Sequence, residues 1–173
     1  MTKENLIKIL TYATASNINK FYQPLVDTML KFEINTPKRE AAFIAQLAHE
    51  SGSLRYVKEL ASGSAYEGRK DLGNTEPGDG VKFKGRGLIQ LTGRANYKKA
   101  SEFFSEDFIA HPELIETPKY ATLIAGWFWS KHSLNKLADI KDFKKITKII
   151  NGGYNGMTDR QKHYDLACKV LGA

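Results

Sequence analysis

The apolar residues of this chain recur mostly every three or four positions, with polar residues between them. That spacing places the apolar side chains on one face of an α-helix, which a folded domain can bury. It predicts helices over residues 3–11, 17–32, 94–104, 118–131, 140–151 and 158–171. The chain is therefore expected to be mainly α-helical.

Residues that favour helix ends support this interpretation and add a further helix. Thr36 is a typical cap, Pro37 suits the first helical position, and Gly52 suits the left-handed residue after the end, so a helix is predicted between them. Other candidate ends follow later in the chain: starts at Thr117, Asp139 and Thr158, and stops at Gly152 and Gly172.

Pro24 leaves two alternatives for residues 17–32. A proline is disfavoured inside a helix but suits the first turn of one. The segment is either one helix or a short helix followed by a longer one that starts near Gln23.

Residues 62–84 lack the helical pattern and are rich in Gly, Asn, Asp and Pro. An irregular stretch of that length inside a compact domain is usually a functional loop. A chain of 173 residues is long enough for one domain with a substantial core. The pattern therefore predicts a single α-rich domain with a small β or loop lobe in the middle.

The composition is that of a soluble globular protein, with 42% hydrophobic and 26% charged residues. The first residues lack the apolar core and cleavage site of a secretory signal, so we expect the protein to be made and at first kept in the cytosol. The one cysteine, Cys168, cannot form an internal disulfide, and the four histidines are scattered. Neither a metal nor a cofactor is expected.

The net charge of +7 favours a polyanionic partner, such as nucleic acid, anionic lipid or an acidic polymer of the cell wall. Modest basic clusters lie at Lys98 and Lys99 and over residues 141–148. The alternative interpretation of each cluster is a solvated helix face.

Glu50 is the first candidate for catalysis, because it lies in the last turn of the helix predicted after Thr36. At about 100° per residue, Leu47 and Phe43 lie close to the same face, so the carboxyl group points toward the core. Apolar burial and the negative end of the helix dipole both favour a protonated carboxyl, which a general acid needs. The alternative is a solvated residue at a helix end.

A second carboxyl group, that of Glu59, follows nine residues later, beyond a glycine turn. Glycoside cleavage requires two carboxyls in different environments, one that protonates the leaving oxygen and one that is ionised. The polar neighbours of Glu59, which are Arg55, Tyr56 and Lys58, favour its ionised form. Two glutamates at this spacing are a weak signal by themselves.

Residues 84–97 (KGRGLIQLTGRANY) are far more specific. Their glycines permit a ligand to approach the backbone closely. Four side chains offer the hydrogen-bonding groups and the flat ring that sugar recognition needs: Gln90, Thr92, Asn96 and Tyr97. A phosphate-binding loop is rejected, because neither the P-loop spacing nor a dinucleotide-binding pattern is met.

The chain resembles the glycoside hydrolase family 19 chitinases and the related phage endolysins. Five blocks carry the resemblance in the same order: residues 45–52 (AQLAHESG), 85–97 (GRGLIQLTGRANY), 125–129 (AGWFW), 149–153 (IINGG) and 159–160 (DR). The resemblance implies a lysozyme-like fold that is mainly α with a small β/loop lobe. It also implies a single catalytic domain, residues 1–173, with no separate wall-binding domain.

By this resemblance Glu50 is the general acid, Glu59 is the general base, and Thr92 supplies a hydroxyl that helps Glu59 hold the attacking water. It places Gln90, Asn96, Asn151 and Arg160 along the sugar-binding cleft, and the further candidates for substrate binding are Tyr66, Glu67 and Tyr97. The family's mechanism inverts the anomeric centre, because water attacks from the face opposite the leaving group. Room for that water implies carboxyls about 6.5 to 9.5 Å apart or slightly more.

Plant chitinases place the second glutamate further from the first and inside a disulfide-braced lobe, and this chain has neither feature. Glu67 is therefore an alternative to Glu59 as the base. The structural interpretation of Glu67 is an ion pair that pins the long loop, with Arg69, Arg86 or Arg94 as its partner.

Four other residues have structural interpretations. Trp127 and Trp129 are expected in the core, and His49 is expected to be a hydrogen-bonded support. Arg160 lies near a predicted helix start, where the helix dipole disfavours a cation. It is therefore expected beside an anionic partner such as a catalytic carboxylate.

Three functions fit these sequence features. The first is an endolysin that cleaves β-1,4 bonds of bacterial peptidoglycan and lyses the host cell, which fits the small size, the missing signal and the positive charge. The second is a chitinase acting on β-1,4-linked N-acetylglucosamine polymers. The third is a non-catalytic module that binds cell wall or nucleic acid.

For the first function we expect a monomer that is held in the host cytoplasm until it is released to the wall. Its partner is the glycan strand of peptidoglycan, with electrostatic contact to the anionic envelope, no stable membrane insertion and no nucleic acid. The sequence does not distinguish a muramidase from a glucosaminidase, because the two sugars share the ring and the acetamido group.

Overall fold

The structure, a computed structural model, describes residues 1–173 and is mainly helical, which confirms the predicted fold class. Its α-helices are α1 (Lys3–Ile9), α2 (Ala15–Lys31), α3 (Pro37–Glu50), α4 (Asp79–Lys82), α5 (Arg94–Phe104), α6 (Pro118–Lys131), α7 (Leu134–Asp139), α8 (Phe143–Asn151) and α9 (Met157–Leu171). None of these helices has the length and the apolar character needed to cross a membrane.

Threonine side chains cap the first three helices. The hydroxyls of Thr2, Thr14 and Thr36 each accept a hydrogen bond from a backbone N–H in the first turn, which has no partner within the helix. The start of α3 at Pro37 is as predicted. Pro24 lies inside α2, which remains one helix, so the alternative of two helices is wrong.

The helix predicted over residues 140–151 begins later than expected. α7 ends at Asp139, and the side chain of Asp142 caps α8. The cap predicted at Asp139 is therefore wrong. Its carboxylate pairs with Arg39 at 2.7 Å, a long-range contact that no local pattern indicates.

The start of α9 also differs from the prediction. Its cap is Gly156, which is left-handed with φ 72°, and Thr158 lies inside the helix. The stops predicted at Gly152 and Gly172 are confirmed, since both follow a helix in the left-handed conformation.

The chain folds into two compact units, which we call unit 1 (Met1–Arg55 and Ala125–Ala173) and unit 2 (Tyr56–Ile124). Unit 1 is built around α3, in which eight consecutive residues, 41–48, are buried. Trp129 is 1% exposed and meets the ring of Phe43 edge-on at 5.2 Å, and Trp127 is also buried. The prediction that both tryptophans belong to the core is confirmed.

Unit 2 contains the small β/loop part. Isolated antiparallel bridges join Lys58 to Arg86 and Arg86 to Leu91. The irregular stretch predicted over residues 62–84 is not without structure, because it folds into two short 3₁₀ helices, Ser64–Tyr66 and Lys70–Leu72, and α4.

Asp79 anchors this irregular stretch. Its buried carboxylate accepts hydrogen bonds from Nε and Nη2 of Arg94 at 2.7 and 2.6 Å and from the backbone N–H of Glu76 at 3.0 Å. The two-point contact with Arg94 lowers the pKa of Asp79. The pair therefore ties α4 to the start of α5.

We expect Asp79→Asn to lower the free energy of unfolding by about 3 kcal/mol, because it leaves the Arg94 guanidinium without its charged partner. The folded-state pKa of Asp79 is depressed, so the contribution of the pair is full above about pH 4 and is lost as the pH falls through that folded-state value. Urea unfolding of both proteins at several pH values measures the difference, which should narrow below about pH 4.

The matched control is Asp71→Asn, which breaks the exposed pair with Arg69 and should change stability little. Equal losses in the two variants, or a difference that does not depend on pH, would contradict the anchoring role of Asp79.

Candidate active site

Glu50 is the last residue of α3, and its side chain is 18% exposed. Its Oε1 atom lies 2.6 Å from Nη2 of Arg160, which starts the second turn of α9. This oxygen is buried and receives no well-directed hydrogen bond, so the contact is an ion pair rather than an aligned hydrogen bond. Apolar burial and the helix dipole are therefore not the whole surroundings of Glu50, because a cation lies in direct contact with its carboxyl group.

Arg160 is 1% exposed and is held by several groups of unit 1. Its Nη1 donates to Oε1 of Gln46 at 2.6 Å, and its Nε donates to the backbone carbonyl of Asn155 at 3.1 Å. Gln46 in turn donates from Nε2 to the hydroxyl of Thr147 at 2.8 Å. The guanidinium therefore joins α3 to α9, and Gln46 extends the connection to α8.

The anionic partner expected for Arg160 is present, and it is the candidate acid itself. The placement of Arg160 along the sugar-binding surface is a correction, however, because a side chain that is 1% exposed has no free surface to offer a ligand. Its guanidinium acts on Glu50 and on the backbone around it.

His49 and Asp159 form a second contact directly beside the first. Nδ1 of His49 lies 2.6 Å from Oδ2 of Asp159, and this hydrogen bond lowers the pKa of Asp159. Consecutive residues of α3 thus pair with consecutive residues of α9. The prediction of His49 as a hydrogen-bonded support agrees with this geometry, and Gly156 fits because a Cβ atom there would overlap the His49 ring.

His163 lies one turn further along α9, with Nε2 at 3.6 Å from Oδ2 of Asp159. Burial lowers the pKa of His163 and so favours its neutral form. The carboxylate of Asp159 therefore faces two imidazole rings within unit 1.

Glu59 lies in unit 2 and is half-buried. Its Oε1 accepts a hydrogen bond from the hydroxyl of Tyr66 at 2.9 Å, and its Oε2 accepts one from the backbone N–H of Gly85 at 3.1 Å. Burial and the bond to Glu59 raise the pKa of Tyr66, so the phenol keeps its proton and donates it. Lys58, expected to be part of this environment, pairs with Glu116 instead.

Glu67 is exposed, and both of its carboxylate oxygens bind backbone groups. Oε1 accepts from the N–H of Gly78 at 2.7 Å, and Oε2 accepts from the N–H of Gly80 at 2.8 Å. The carboxylate thus clamps the loop that leads into α4.

The ion pair predicted for Glu67 is wrong, because each candidate arginine has another carboxylate. Arg69 pairs with Asp71, Arg86 with Glu116, and Arg94 with Asp79. The role of pinning the loop is nevertheless present, with backbone amides in place of a guanidinium.

The motif of residues 85–97 directs its polar side chains onto its own backbone. Gln90 donates to the carbonyl of Gly87 at 3.0 Å, the hydroxyl of Thr92 donates to the carbonyl of Gln90 at 2.8 Å, and Asn96 donates to the carbonyl of Thr92 at 2.8 Å. The side chains of Gln90, Thr92 and Asn96 are half-buried, so each keeps some accessible surface.

The predicted role of Tyr97 in substrate binding is wrong. Its side chain is 0% exposed and packs against Phe83. Its hydroxyl donates to the carbonyl of Lys84 at 2.7 Å and accepts from Nη1 of Arg86 at 3.0 Å. Burial raises the pKa of Tyr97 to about 12, so the phenol stays neutral and serves the core of unit 2.

Asn151, the other predicted binding residue of unit 1, ends α8 and is half-buried. Its Oδ1 accepts from the backbone N–H of Asn155 at 3.1 Å, which shapes the loop between α8 and α9. The carbonyl of Asn155 is the one that binds Arg160. Asn151 therefore supports the loop that holds the partner of Glu50.

The two candidate carboxyls have different supports. Glu50 has a buried cation, whereas Glu59 has a phenol and a backbone amide. Unlike surroundings are the condition under which one carboxyl acts as an acid while the other acts as a base.

The structure contains no group of three His, Cys, Asp or Glu side chains arranged to hold a metal ion.

Comparison with known proteins shows that the chain belongs to one family. The family model described as chitinase class I, of glycoside hydrolase family 19, matches residues 12–142. A glycosyl hydrolase family 19 domain-containing protein of Haemophilus influenzae is 28% identical over 174 residues, which cover 83% of this chain and 85% of the relative. An endochitinase of Arabidopsis thaliana is 37% identical over 143 residues, which cover 78% of this chain and 49% of the relative. The chain spans about half the length of several plant endochitinases that it matches.

Solved structures of similar fold include chitinase C from Streptomyces griseus, with a TM-score of 0.80 and 23% identity, covering 99% of this chain and 76% of that one. A bacterial family 19 chitinase has a TM-score of 0.81 and 21% identity, covering 99% of this chain and 95% of that one. At these identities the similarity is one of fold.

The contact between Arg160 and Glu50 can be measured as a coupling energy. We expect Arg160→Met to lower the free energy of unfolding by about 3 kcal/mol, because it leaves a buried oxygen of Glu50 without its cation. Adding Glu50→Gln should restore part of that loss, since a neutral amide needs no counter-charge. Urea unfolding of the wild type, both single variants and the double variant should give a coupling of about 1 to 3 kcal/mol. Strictly additive losses would show that the pair is not coupled.

Proposed function

We propose that this chain, which belongs to the class I chitinase family, glycoside hydrolase family 19, is an endolysin that cleaves the β-1,4 glycosidic bonds of bacterial peptidoglycan. Glycoside hydrolysis is the chemistry of the family. The observation that carries the catalytic part of the proposal is the contrast between its two carboxyls, Glu50 beside a buried guanidinium and Glu59 beside neutral donors.

In the proposed mechanism Glu50 takes up a proton from solvent before the reaction, and this protonated form donates the proton to the leaving glycosidic oxygen. Its place at the end of α3, with Arg160 and the neighbouring contact of His49, fixes where that proton is delivered. As the proton leaves, the guanidinium stabilises the carboxylate that forms. The glycosidic C–O bond breaks, and the leaving sugar carries the proton away.

Glu59 is the proposed base, which takes a proton from the attacking water. Tyr66 and the N–H of Gly85 hold the carboxylate in one orientation. Water adds to the anomeric carbon from the side opposite the leaving group, so the configuration is inverted in one displacement. Glu67 is the weaker candidate for the base, because both of its oxygens are engaged by loop amides.

Peptidoglycan is proposed as the substrate because the chain carries a net charge of +7, which suits an acidic wall polymer better than neutral chitin. A single cysteine excludes an internal disulfide, which suits a protein that matures in the bacterial cytoplasm. We place the enzyme there, as a monomer, until it is released to the wall. The second candidate function is chitin hydrolysis, which is favoured by the plant relatives named endochitinases.

We expect Glu50→Gln to lower the rate of lysis by about 100-fold or more, because the amide cannot act as a general acid. The measurement is the loss of turbidity of outer-membrane-permeabilised cells, with circular dichroism to show that the variant is folded. Lysis that persists in a folded variant would favour the non-catalytic wall-binding module.

The products identify the bond that is cleaved. Mass spectrometry of muropeptides from purified wall should show new reducing ends, muramic acid for a muramidase and glucosamine for a glucosaminidase. Chitin oligomers serve as the parallel substrate. Cleavage of chitin without any new reducing end on the wall would replace the endolysin proposal with the chitinase.

Glu59→Gln and Glu67→Gln form a matched pair that tests the base. We expect Glu59→Gln to lower kcat by about 100-fold or more with little effect on stability, because it removes the group that accepts the proton. Glu67→Gln should keep most of the activity and lose stability, because it weakens the clamp on Gly78 and Gly80. Near-full activity in Glu59→Gln together with its loss in a stable Glu67→Gln would move the role to Glu67.

A further inference from the structure

The positive charge of the protein is unevenly distributed. Unit 1 holds 16 of the 26 Lys and Arg residues and 9 of the 19 Asp and Glu residues, so it carries the whole net charge of +7. Unit 2 holds the remaining 10 basic and 10 acidic residues and is neutral. Any attraction that the net charge exerts on a polyanion therefore acts on unit 1.

Part of this charge is concentrated on α8. Lys144, Lys145 and Lys148 are exposed and make no ion pair, and Lys141, just before the helix, is also exposed. Their spacing places them on one face of the helix. The one acid of this segment, Asp142, is engaged as the helix cap. We call the three helical lysines the α8 basic face.

The α8 basic face continues into the loop beside the candidate acid. Nζ of Lys144 lies 5.2 Å from the ring centroid of Tyr154, which is 46% exposed. Tyr154 lies between Asn151 and Asn155, which are hydrogen-bonded to each other, and the carbonyl of Asn155 binds Arg160. The lysines, an exposed aromatic ring and the partner of Glu50 are thus connected within unit 1.

The opposite face of α8 belongs to the core. Phe143 and Ile146 are buried, and the Phe143 ring stacks on Tyr164 with centroids 4.1 Å apart. A helix that lies in a membrane surface needs an apolar face free to enter the lipid, and α8 has none. Apart from Tyr154 and Ile140, which is 72% exposed, the surroundings of the face offer charge rather than apolar area. This favours a polyanionic polymer over a bilayer.

We propose that the α8 basic face, together with Tyr154, is a subsite for the carboxylates of the peptides that substitute the glycan strand. This rests on the proposed function, since these peptides distinguish peptidoglycan from chitin. Chitin is uncharged and offers nothing to three unpaired lysines. A peptide attached to the strand carries free carboxylates and a chain that can lie across an exposed aromatic ring. The subsite selects the substrate by charge, outside the sugar-binding positions.

The test uses the triple variant Lys144→Gln/Lys145→Gln/Lys148→Gln. Its matched control, Lys70→Gln/Lys98→Gln/Lys99→Gln, removes the same charge from exposed positions of unit 2. The substrates are intact peptidoglycan, the same glycan stripped of peptides by an amidase and with the lactyl carboxylates that this exposes converted to neutral amides, and a soluble neutral chitin derivative. KM and kcat are measured at low and raised salt.

We expect the α8 variant to raise KM about tenfold on intact peptidoglycan, with kcat nearly unchanged and a weaker dependence on salt. On the stripped glycan and on the chitin derivative it should match the wild type, as should the control variant on all three substrates. Equal losses on intact and stripped glycan, or no change on either, would overturn the subsite.

Co-sedimentation with insoluble wall separates this proposal from the proposed function. Activity on peptidoglycan without charge-dependent binding would overturn the subsite and leave the endolysin. Charge-dependent binding to intact but not to stripped wall, in a protein that cleaves only chitin, would support the subsite and overturn the endolysin. If the α8 variant loses binding to phosphatidylglycerol vesicles while its KM on peptidoglycan is unchanged, the face recognises membrane and the proposal fails.

Discussion

The arrangement of α3 and α9 in unit 1 depends on the burial of one guanidinium, that of Arg160. Arg160 has almost no contact with water, so each of its N–H groups needs a partner from the protein. Gln46 and Glu50 of α3 and the carbonyl of Asn155 in the loop before α9 provide those partners. A buried cation tolerates few arrangements of its neighbours, and this requirement fixes α3 against α9 more narrowly than apolar packing would.

The same requirement explains the register of the two helices. Because His49 is next to Glu50 and Asp159 is next to Arg160, one register of the two helices allows both pairs. Gly156 lets the imidazole approach the chain at the start of α9 without a steric conflict. The carboxyl at the end of α3 is thus oriented by contacts on consecutive residues, which leaves it little freedom to turn toward solvent.

How much of this the sequence could predict depends on how local each feature is. The start of α3 followed from Thr36 and Pro37, because a cap and its helix are neighbours in the chain. The cation near the start of α9 predicted an anionic partner, since the helix dipole disfavours a cation at that end. In contrast, the pairing of Asp139 with Arg39 joins residues 100 positions apart, and no local pattern indicated it. Tyr97 was misplaced for a similar reason, because a hydroxyl suits a sugar as well as it suits the buried carbonyl and guanidinium that it contacts.

Unit 2 supports Glu59 with groups of a different kind from those that support Glu50. Glu59 and Glu67 lie outside its α-helices, so the phenol of Tyr66 and the backbone amide of Gly85 hold Glu59, while the amides of Gly78 and Gly80 hold Glu67. Two of these glycines also allow close approach, since a Cβ at Gly80 would meet the backbone of Glu67 and one at Gly85 would meet Gln90. Gly85, a glycine of the 84–97 motif, therefore acts partly by leaving room for Gln90 and for the carboxylate of Glu59. A loop that is ordered by such contacts can keep its shape without a disulfide, which a chain with a single cysteine cannot form internally.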